Sequence, residues 1–266
     1  MPVPPPTGPL VTRSTLIADL RALGVRPGDT LLLHSSLSAL GWVCGGAVSV
    51  VQGLLHTLGP DGTLTVPTHT GGNSDPAQWR RPPVPQEWWA GIRASMPAYD
   101  MAVTPSEGMG VIAETARRWP GALRSAHPQT SFAAVGPQAA AITHGHATDC
   151  SLGEDSPLAR LEERDARVLL LGTRFATCTS FHLAEYRIPS PRRTVMGRAV
   201  LTPDGGRRWE TVTEIDISAD GFDELGAALE RDGGVVRGRV GAADARLFPV
   251  ADAVAYAQEW LARHRS

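Results

Sequence analysis

Short apolar runs alternate along the chain with longer stretches in which apolar residues recur every three or four positions. Residues 30–34, 63–69 and 166–173 are runs short enough for buried strands, and each ends in polar residues or glycine. Residues 47–58 and 251–264 have the helical period. This alternation predicts an α/β fold with a largely parallel sheet and helices on both of its faces.

Two segments depart from the alternation. Residues 70–105 lose regular periodicity and are rich in aromatic residues and proline. Loops of this length are usually lids or binding walls, and an inserted helix over residues 85–96 is the alternative. Residues 198–217 alternate around a Pro-Asp-Gly-Gly turn, which predicts a β-hairpin. Without an internal repeat, we interpret residues 11–266 as one domain that follows a disordered, proline-rich tail over residues 1–10.

Composition argues against several classes of function. A net charge of −2 gives no reason to expect a polyanionic partner, so nucleic-acid binding is not predicted. No apolar run approaches the ~20 residues that a membrane span needs. Three scattered cysteines are too few for a disulfide framework and favour a reducing compartment, so a cytoplasmic protein is expected.

A histidine and a glutamate three residues apart follow the apolar run at 166–173. The threonines and serine at 177–180 favour the start of a helix, which places His182 and Glu185 on one helix face. A carboxylate in that position holds one imidazole nitrogen and leaves the other as a proton acceptor near neutral pH. The alternative is an ordinary half-buried histidine beside an acid, a common pair on solvated helices.

Polar residues beyond the other predicted strands are candidates for ligand binding. His34 and the two serines after it follow the first strand, where open α/β sheets usually bind ligands. The pair Gly45-Gly46 lets a phosphate or a pantetheine chain approach backbone amides, and a tight turn that needs positive φ is the alternative. Arg124 with its neighbouring hydroxyls is suited to a phosphate, although a surface turn fits the same residues.

Other patterns keep different chemistries open. Cys178 precedes His182 by one helical turn and is the nucleophile of a rival mechanism, unless it is a small core residue. The pair His144 and His146 with Cys150 is only a partial metal set, so no metal is predicted. A rival from another class is a metal-dependent hydrolase, which would use His34, His69, His144, His146 and His182.

Several short motifs occur in a fixed order along nearly the whole chain. They are Leu33-His34-Ser35-Ser36-Leu37, Gly41-Trp42-Val43-Cys44-Gly45-Gly46, Gly59-Pro60-Asp61-Gly62-Thr63-Leu64, Pro67-Thr68, His127-Pro128-Gln129-Thr130-Ser131-Phe132, Asp155-Ser156-Pro157-Leu158, His182-Leu183-Ala184-Glu185, Gly238-Arg239-Val240-Gly241-Ala242-Ala243 and Leu247-Phe248. None is diagnostic alone. In combination they resemble the aminoglycoside 3-N-acetyltransferase family, an acetyl-CoA-dependent group distinct from the GNAT fold.

The resemblance implies an α/β/α sandwich with a central largely parallel or mixed sheet, acetyl-CoA in a cleft and an aminocyclitol in an adjoining acidic pocket. It implies direct acetyl transfer to the 3-amino group of an aminoglycoside, which inactivates the antibiotic and gives resistance. His182 then matches the general base and Glu185 its partner. Two alternatives are an acyltransferase that modifies another amine in a biosynthetic pathway and a non-catalytic CoA-binding module. The protein is expected to be a monomer or a homodimer.

Direct transfer also needs donors for an oxyanion, and a polycationic acceptor needs carboxylates. Backbone amides near the serines after His34 and the hydroxyls of Thr68 and Thr179 are candidate donors, and His34 and Thr68 complete the predicted catalytic set. The predicted acetyl-CoA contacts are His34, Ser35, Ser36, Leu37, Val43, Gly45, Gly46, Arg124, His127, Ser131 and Phe132. The predicted acceptor contacts are Asp75, Tyr99, Asp100, Glu107 and Glu214, and the sequence does not decide which of them converge.

Overall fold

The computed structural model describes residues 8–265, so most of the predicted proline-rich tail lies outside the described residues. The helices are α1 (Arg13–Leu23), α2 (Gly46–Leu58), α3 (Trp89–Ser95), α4 (Gly110–Arg117), α5 (Ala139–Thr143), α6 (Pro157–Glu162), α7 (Ser180–Arg187), α8 (Phe222–Arg231) and α9 (Val250–His264). The strands are β1 (Thr30–Ser35), β2 (Thr63–Pro67), β3 (Leu123–Arg124), β4 (Phe132–Val135), β5 (Arg167–Leu171), β6 (Arg193–Leu201), β7 (Arg207–Ile215), β8 (Val236–Val240) and β9 (Ala243–Pro249). Within the described range, none of the helices has both the length and the apolar content that crossing a membrane requires.

Seven strands form one mixed sheet in the order β3-β4-β2-β1-β5-β9-β8. The three central strands β2, β1 and β5 are parallel, and the outer strands join them in antiparallel pairs. Strands β6 and β7 pair separately as the predicted hairpin. This arrangement confirms the predicted α/β fold with a mixed central sheet. Sequence patterns did not indicate β9, a seven-residue strand that follows β8 after a tight turn.

Side chains of the central strands alternate between two apolar cores. Leu31 and Leu33 of β1 pack with α1, α2 and α4 on one face, and Leu32 packs with residues of α5 to α9 on the other. Successive side chains of a strand point to opposite faces, so a strand covered on both faces needs an uninterrupted apolar run. The continuous apolar runs in the sequence therefore correspond to the middle layer of the α/β/α sandwich.

A close approach of two backbone segments after β5 depends on Gly172. Its φ is +70°, and a Cβ added there would lie 2.4 Å from the Cβ of Ala39. Nearby, the Ser36 N–H donates to the Leu171 carbonyl at 2.9 Å, which ties the segment after β1 to the end of β5. The polar residues that follow these two strands are thereby held side by side.

The excursion over residues 70–105 packs against the hairpin. It contains a helix within residues 85–96, where the sequence offered an inserted helix as an alternative to a loop. A 3-10 turn at Gln86–Trp88 leads into α3. Asn73 anchors the excursion, since its Oδ1 accepts from the Ala199 N–H at 2.8 Å and its Nδ2 donates to the Ala199 carbonyl at 2.9 Å. A buried side-chain amide thus satisfies both backbone groups of one residue of β6.

Replacing Asn73 by alanine is expected to lower the free energy of unfolding by about 2–3 kcal/mol, because the buried Ala199 N–H loses its acceptor. Urea denaturation followed by circular dichroism measures the change. Gln78→Ala is the matched control, because exposed Gln78 makes one hydrogen bond to the same hairpin, at the Val195 carbonyl (2.7 Å). Its loss is expected to cost less than about 1 kcal/mol. Equal unfolding midpoints for the two variants would show that Asn73 does not anchor the hairpin.

Candidate active site

A cleft of about 910 Å³ opens at the carboxyl ends of the three parallel strands. Segments after β1, β2 and β5 form its walls, together with the loop before α2 and the start of α4. Residues predicted for the site that line it are His34, Ser35, Ser36, Leu37, Val43, Gly46 and His182. Further lining residues are Trp42, Pro67, His69, Met109, Val111, Thr173, Thr177 and Thr179.

Strand order explains the position of the cleft. β1 has β2 on one side and β5 on the other, so the connections that lead to these neighbours run to opposite sides of β1. In open α/β sheets, ligands bind in the crevice at such a switch point, beyond the carboxyl ends of the strands. The cleft lies at this switch point.

Helix α7 begins at Ser180 and carries His182 and Glu185 three residues apart. Glu185 Oε2 lies 2.5 Å from His182 Nδ1, with 3% of the glutamate side chain and 12% of the histidine side chain exposed. A carboxylate accepts, so Nδ1 is the donor and Nε2 is left to bind a proton. His182 lines the cleft, and the pair therefore presents a proton acceptor to a ligand there.

Three residues that the sequence analysis did not identify surround this pair. Glu185 Oε1 accepts the Ser218 N–H at 3.0 Å and a hydrogen bond from Arg265 Nη1. The ring of Phe222 lies 4.8 Å from the ring of His182, between centroids. All three follow His182 by more than thirty positions, so no local spacing signals them.

His34, the fifth residue of β1, is held as a neutral ring. The Thr179 N–H donates to His34 Nε2 at 3.4 Å, and the Thr179 hydroxyl lies 3.3 Å from the same nitrogen. Burial, and to a lesser degree the charge of His182, lowers the pKa of His34 to about 3. A backbone N–H only donates, so Nε2 accepts and the hydrogen of the neutral ring is on Nδ1. Within residues 8–265, nothing accepts a hydrogen bond from that Nδ1.

A third imidazole, His69, lines the cleft after β2. Burial lowers its pKa to about 3, with smaller contributions from His182 and His34. Its Nε2 is buried without a hydrogen-bond partner in the described part of the chain. A ring that resists protonation at neutral pH is a poor general base, which leaves His182 as the candidate base among the three.

Gly45 caps α2 and Gly46 begins it, and the predicted turn with positive φ is confirmed, while the approach of a phosphate or a pantetheine chain stays a prediction. The φ angles are +79° and +58°, and a Cβ added at Gly45 would lie 2.4 Å from Ser49 Oγ, so the turn requires glycine. Gly46 lines the cleft, and its Cβ position is open. The first N–H groups of this 13-residue helix have no intrahelical acceptor, and together with the helix dipole they suit an anionic ligand.

Besides Gly45 and Glu185, which adjoin lining residues, four predicted acetyl-CoA contacts and one predicted catalytic residue lie outside the cleft lining. Ser131, Phe132 and His127 are fully buried. Arg124 donates to the Thr68 hydroxyl at 3.1 Å and to the Thr68 carbonyl at 2.7 Å. The Thr68 hydroxyl also bonds Ser131 Oγ at 3.0 Å. These contacts hold the segment after β2 against β4, and a role for these five residues in binding or catalysis stays a prediction.

The predicted acceptor contacts are bonded to other groups of the protein, and none of these described residues lines the cleft. Asp75 forms an ion pair with Arg93 at 2.7 Å, which lowers the pKa of Asp75 against the opposing effect of burial. Glu107 accepts a backbone N–H group from another loop, and Asp100 accepts two from its own turn. The Tyr99 hydroxyl donates to a backbone carbonyl. Their part in acceptor binding stays a prediction.

Glu214, the fifth predicted acceptor contact, belongs to a buried polar cluster beneath the hairpin. Its Oε1 accepts from the Tyr186 hydroxyl at 3.0 Å, and its Oε2 lies 3.6 Å from Arg198 Nη1. Arg198 is fully buried and its Nη1 lies 3.1 Å from His127 Nε2. The rings of His127 and His146 stack at 4.6 Å, and burial lowers the pKa of both. The cluster joins the hairpin to α7 and to the loop that carries His127.

The five histidines of the metal-hydrolase hypothesis occupy different environments. His34, His69 and His182 line the cleft, His146 is in the buried stack and His144 is exposed at the end of α5. Across residues 8–265, no group of three or more His, Cys, Asp or Glu side chains is arranged to hold a metal ion.

Known proteins resemble this chain over almost its full length. The sequence model of the aminoglycoside 3-N-acetyltransferase family matches residues 32–262. The chain is 43% identical to the prophage-derived aminoglycoside N(3′)-acetyltransferase-like protein YokD of Bacillus subtilis, over 96% of this chain and 94% of that protein. It is 39% identical to aminoglycoside N(3)-acetyltransferase VIII of Streptomyces fradiae, over 94% and 92% of the two chains.

Solved structures extend the similarity to the fold. The crystal structure of YokD has a TM-score of 0.95 at 42% identity, over 97% of this chain and 96% of that chain. A binary complex of AAC-IIIb with CoASH has a TM-score of 0.86 at 31% identity, over 96% and 98% of the two chains. AAC-VIa bound to sisomicin has a TM-score of 0.85 at 32% identity, over 97% and 99%.

The environment of Cys178 predicts an unreactive thiol. Burial raises its pKa to about 12, so the thiol stays protonated at neutral pH, and its Sγ lies 3.1 Å from Ser180 Oγ. Iodoacetamide at pH 8 is expected to alkylate the exposed Cys44 and to leave Cys178 unmodified, as peptide mass mapping would show. Urea-unfolded protein, in which every thiol should react, is the control. Labelling of Cys178 in the folded protein at the rate of Cys44 would restore the acyl-cysteine mechanism.

Proposed function

The chain belongs to the aminoglycoside 3-N-acetyltransferase family, and we propose that it transfers the acetyl group of acetyl-CoA to the 3-amino group of an aminoglycoside, with His182 as general base. The chain is an acyltransferase, and inactivation of an antibiotic is its proposed role. One observation supports this mechanism above the others. His182, whose Nδ1 lies 2.5 Å from Glu185 Oε2, lines the cleft at the switch point of the sheet.

The cleft suits acetyl-CoA as the first substrate. Its volume of about 910 Å³ is in the range of sites for extended small molecules. The N-terminus of α2 at Gly46 would receive a phosphate group of CoA, and Leu37 and Val43 would contact the pantetheine chain. The CoASH complex of the related AAC-IIIb supports this assignment.

The proposed reaction is direct transfer within a complex of both substrates. The acceptor nitrogen bonds to the thioester carbonyl carbon, the C–S bond breaks, and its electron pair leaves with the sulfur of CoA. One proton of the amine passes to His182 Nε2 and then to the sulfur, which gives free CoA thiol. Glu185 accepts from Nδ1 throughout, so it fixes the ring orientation and stabilises the imidazolium. Holding the two substrates together supplies a further large part of the rate.

Negative charge develops on the thioester oxygen during the attack, and we assign its stabilisation to His34. The ring is neutral, its Nε2 accepts from Thr179, and its Nδ1–H is left without an acceptor in the cleft-lining position. A fixed, uncharged donor at a site of low dielectric stabilises an oxyanion without reorganisation. His34 was not among the candidate donors from the sequence, which were backbone amides near Ser35 and Ser36 and the hydroxyls of Thr68 and Thr179.

An aminoglycoside is the proposed acceptor because the family modifies this class and because AAC-VIa was solved with sisomicin. Asp75, Asp100 and Glu107 are the carboxylates that residues 70–107 offer to its ammonium groups, and each already has a partner within the protein. Acceptor binding would therefore exchange these partners or add to them. A different amine is the alternative acceptor.

Replacing His182 by alanine is expected to lower kcat by about 10²–10⁴-fold, the range for a lost general base, and to leave CoA binding nearly intact. Thiol release from acetyl-CoA against a panel of aminoglycosides and simple diamines measures turnover, and calorimetry measures CoA binding. His56→Ala, a histidine exposed on α2, is the control and should behave as wild type. Near-full activity of His182→Ala would refute the base assignment. Turnover with the diamines alone would show that the acceptor is another amine and not an aminoglycoside.

Replacing His34 by alanine is expected to lower kcat by about 10²–10³-fold, the loss found when one oxyanion donor is removed. The acidic limb of the pH–rate profile should stay where it is in the wild type, because a pKa of about 3 keeps His34 neutral across the assay range. Steady-state rates from pH 6 to 9 measure both quantities. A displaced limb would show instead that His34 itself titrates during catalysis.

A further inference from the structure

Arg265, the residue after α9, is bonded to the carboxylate that holds His182. Its Nη1 donates to Glu185 Oε1, and the other oxygen of that carboxylate, Oε2, lies 2.5 Å from His182 Nδ1. Only 3% of the Glu185 side chain is exposed. A charged group removed from water needs an opposite charge and hydrogen-bond donors close to it. Arg265 supplies both from a segment far along the chain from α7.

The guanidinium of Arg265 is fixed by contacts on several sides. Its Nη2 donates to the Ser218 carbonyl at 2.7 Å and also to the Asp220 carbonyl. Its Cζ lies 5.5 Å from the centroid of the Phe222 ring. An ordinary surface ion pair joins two flexible side chains in water and contributes little. The contacts of Arg265 instead hold a planar donor group in one orientation towards Glu185.

Phe222 lies against both the cation and the base. Its ring is fully buried, 4.8 Å from the ring of His182 and 5.5 Å from Arg265 Cζ. An aromatic ring rather than water occupies this position, so the guanidinium charge is weakly screened where it acts on the imidazole. The electrostatic effect of Arg265 on His182 is therefore larger than that of a solvated arginine.

We propose that Arg265 is a positioning residue for acetyl transfer. Through Glu185 it fixes the orientation of the His182 ring, and its positive charge opposes protonation of that ring before the acceptor amine binds. The inference rests on the proposed role of His182 as general base. The hydrogen bond from Nη1 holds the carboxylate so that Oε2 faces Nδ1. The positive charge offsets part of the attraction that Glu185 exerts on an imidazolium.

Other titratable groups face His182 from the strands. They are His34 of β1 and His69 after β2, and burial, with a smaller effect of the charge of His182, lowers the pKa of each to about 3. Both rings are neutral from pH 6 to 9 and contribute no change of charge there. Among the described residues in contact with the pair, Glu185 and Arg265 carry the charges that bias the protonation of His182.

Arg265→Gln tests the charge, since an amide keeps hydrogen-bond donors and removes the cation. The acidic limb of the kcat profile is expected to move to higher pH by about 0.5–1 unit, because the imidazolium loses an opposing charge. The plateau kcat is expected to fall by up to about 10²-fold, as for a misplaced catalytic group. KM for acetyl-CoA should be unchanged, since Arg265 does not line the cleft.

Two further variants separate charge from geometry. Arg265→Lys keeps the charge and loses the planar donor group, so the acidic limb should stay near its wild-type position while kcat remains several-fold low. Arg263→Gln is the matched control, because exposed Arg263 bonds, among the described residues, only the Glu259 carbonyl of its own helix. It should match the wild type in every measurement.

An NMR titration of the His182 ring gives a readout that does not depend on turnover. Its midpoint is expected to rise by the same 0.5–1 unit in Arg265→Gln and to stay unchanged in Arg263→Gln. An unchanged midpoint in a folded Arg265→Gln would overturn the inference, even with a reduced kcat, because the loss would then be structural. If Arg265→Gln does not fold, a wild-type kcat for Arg265→Lys would overturn the inference. If the wild type acetylates no amine, the proposed function fails, and the titration still decides the role of Arg265.

Discussion

The parallel pairing of β1 with β5 is the constraint on which the site depends. In parallel strands the carboxyl ends meet at the same edge of the sheet, so the residues that follow β1 and β5 must emerge together. His34 is paired in register with Leu170, and the Thr179 N–H reaches the His34 ring from the segment after β5. Because β2 lies on the other side of β1, the same edge also receives His69. The parallel pairings of β1 with β5 and with β2 therefore bring three imidazoles to one cleft.

The difference in role among the three imidazoles follows from what each ring can bond. His34 and His69 emerge directly from strands buried on both faces, and burial keeps their rings neutral. His182 is on the first turn of a short helix, with a carboxylate one turn further on and part of its side chain exposed. Neutral rings suit hydrogen-bond donation, and a ring with a carboxylate partner suits proton uptake. The arrangement thus gives residues of one type the two environments that the proposed donor and the proposed base require.

The hairpin and the excursion over residues 70–105 extend the fold beyond the sandwich. Asn73 satisfies both backbone groups of Ala199, so it fixes the excursion against the hairpin. The Arg198–Glu214 ion pair beneath the hairpin is less completely satisfied, since Arg198 Nε, Arg198 Nη2 and Glu214 Oε2 are buried without a hydrogen-bond partner among the described residues. Asp75, Asp100 and Glu107 already have partners within the protein, so any contribution of theirs to acceptor binding would exchange those partners or add to them.

The sequence by itself determined the layers of the fold and the central pair of the site. Uninterrupted apolar runs specify strands that are covered on both faces, and the i, i+3 spacing of His182 and Glu185 places both residues on one helix face. Both features depend on residues that are close together in the chain, so the sequence alone reveals them. Tertiary structure alone decided which groups surround that pair. Ser218, Phe222 and Arg265 reach Glu185 and His182 from segments that no local pattern connects to α7. It also placed Thr68 and Arg124 in a hydrogen-bond network outside the cleft lining, although their motifs are local. Hydrogen bonds and charges act over a few ångströms of space, so a site made by distant segments exists only once the sheet has brought them together.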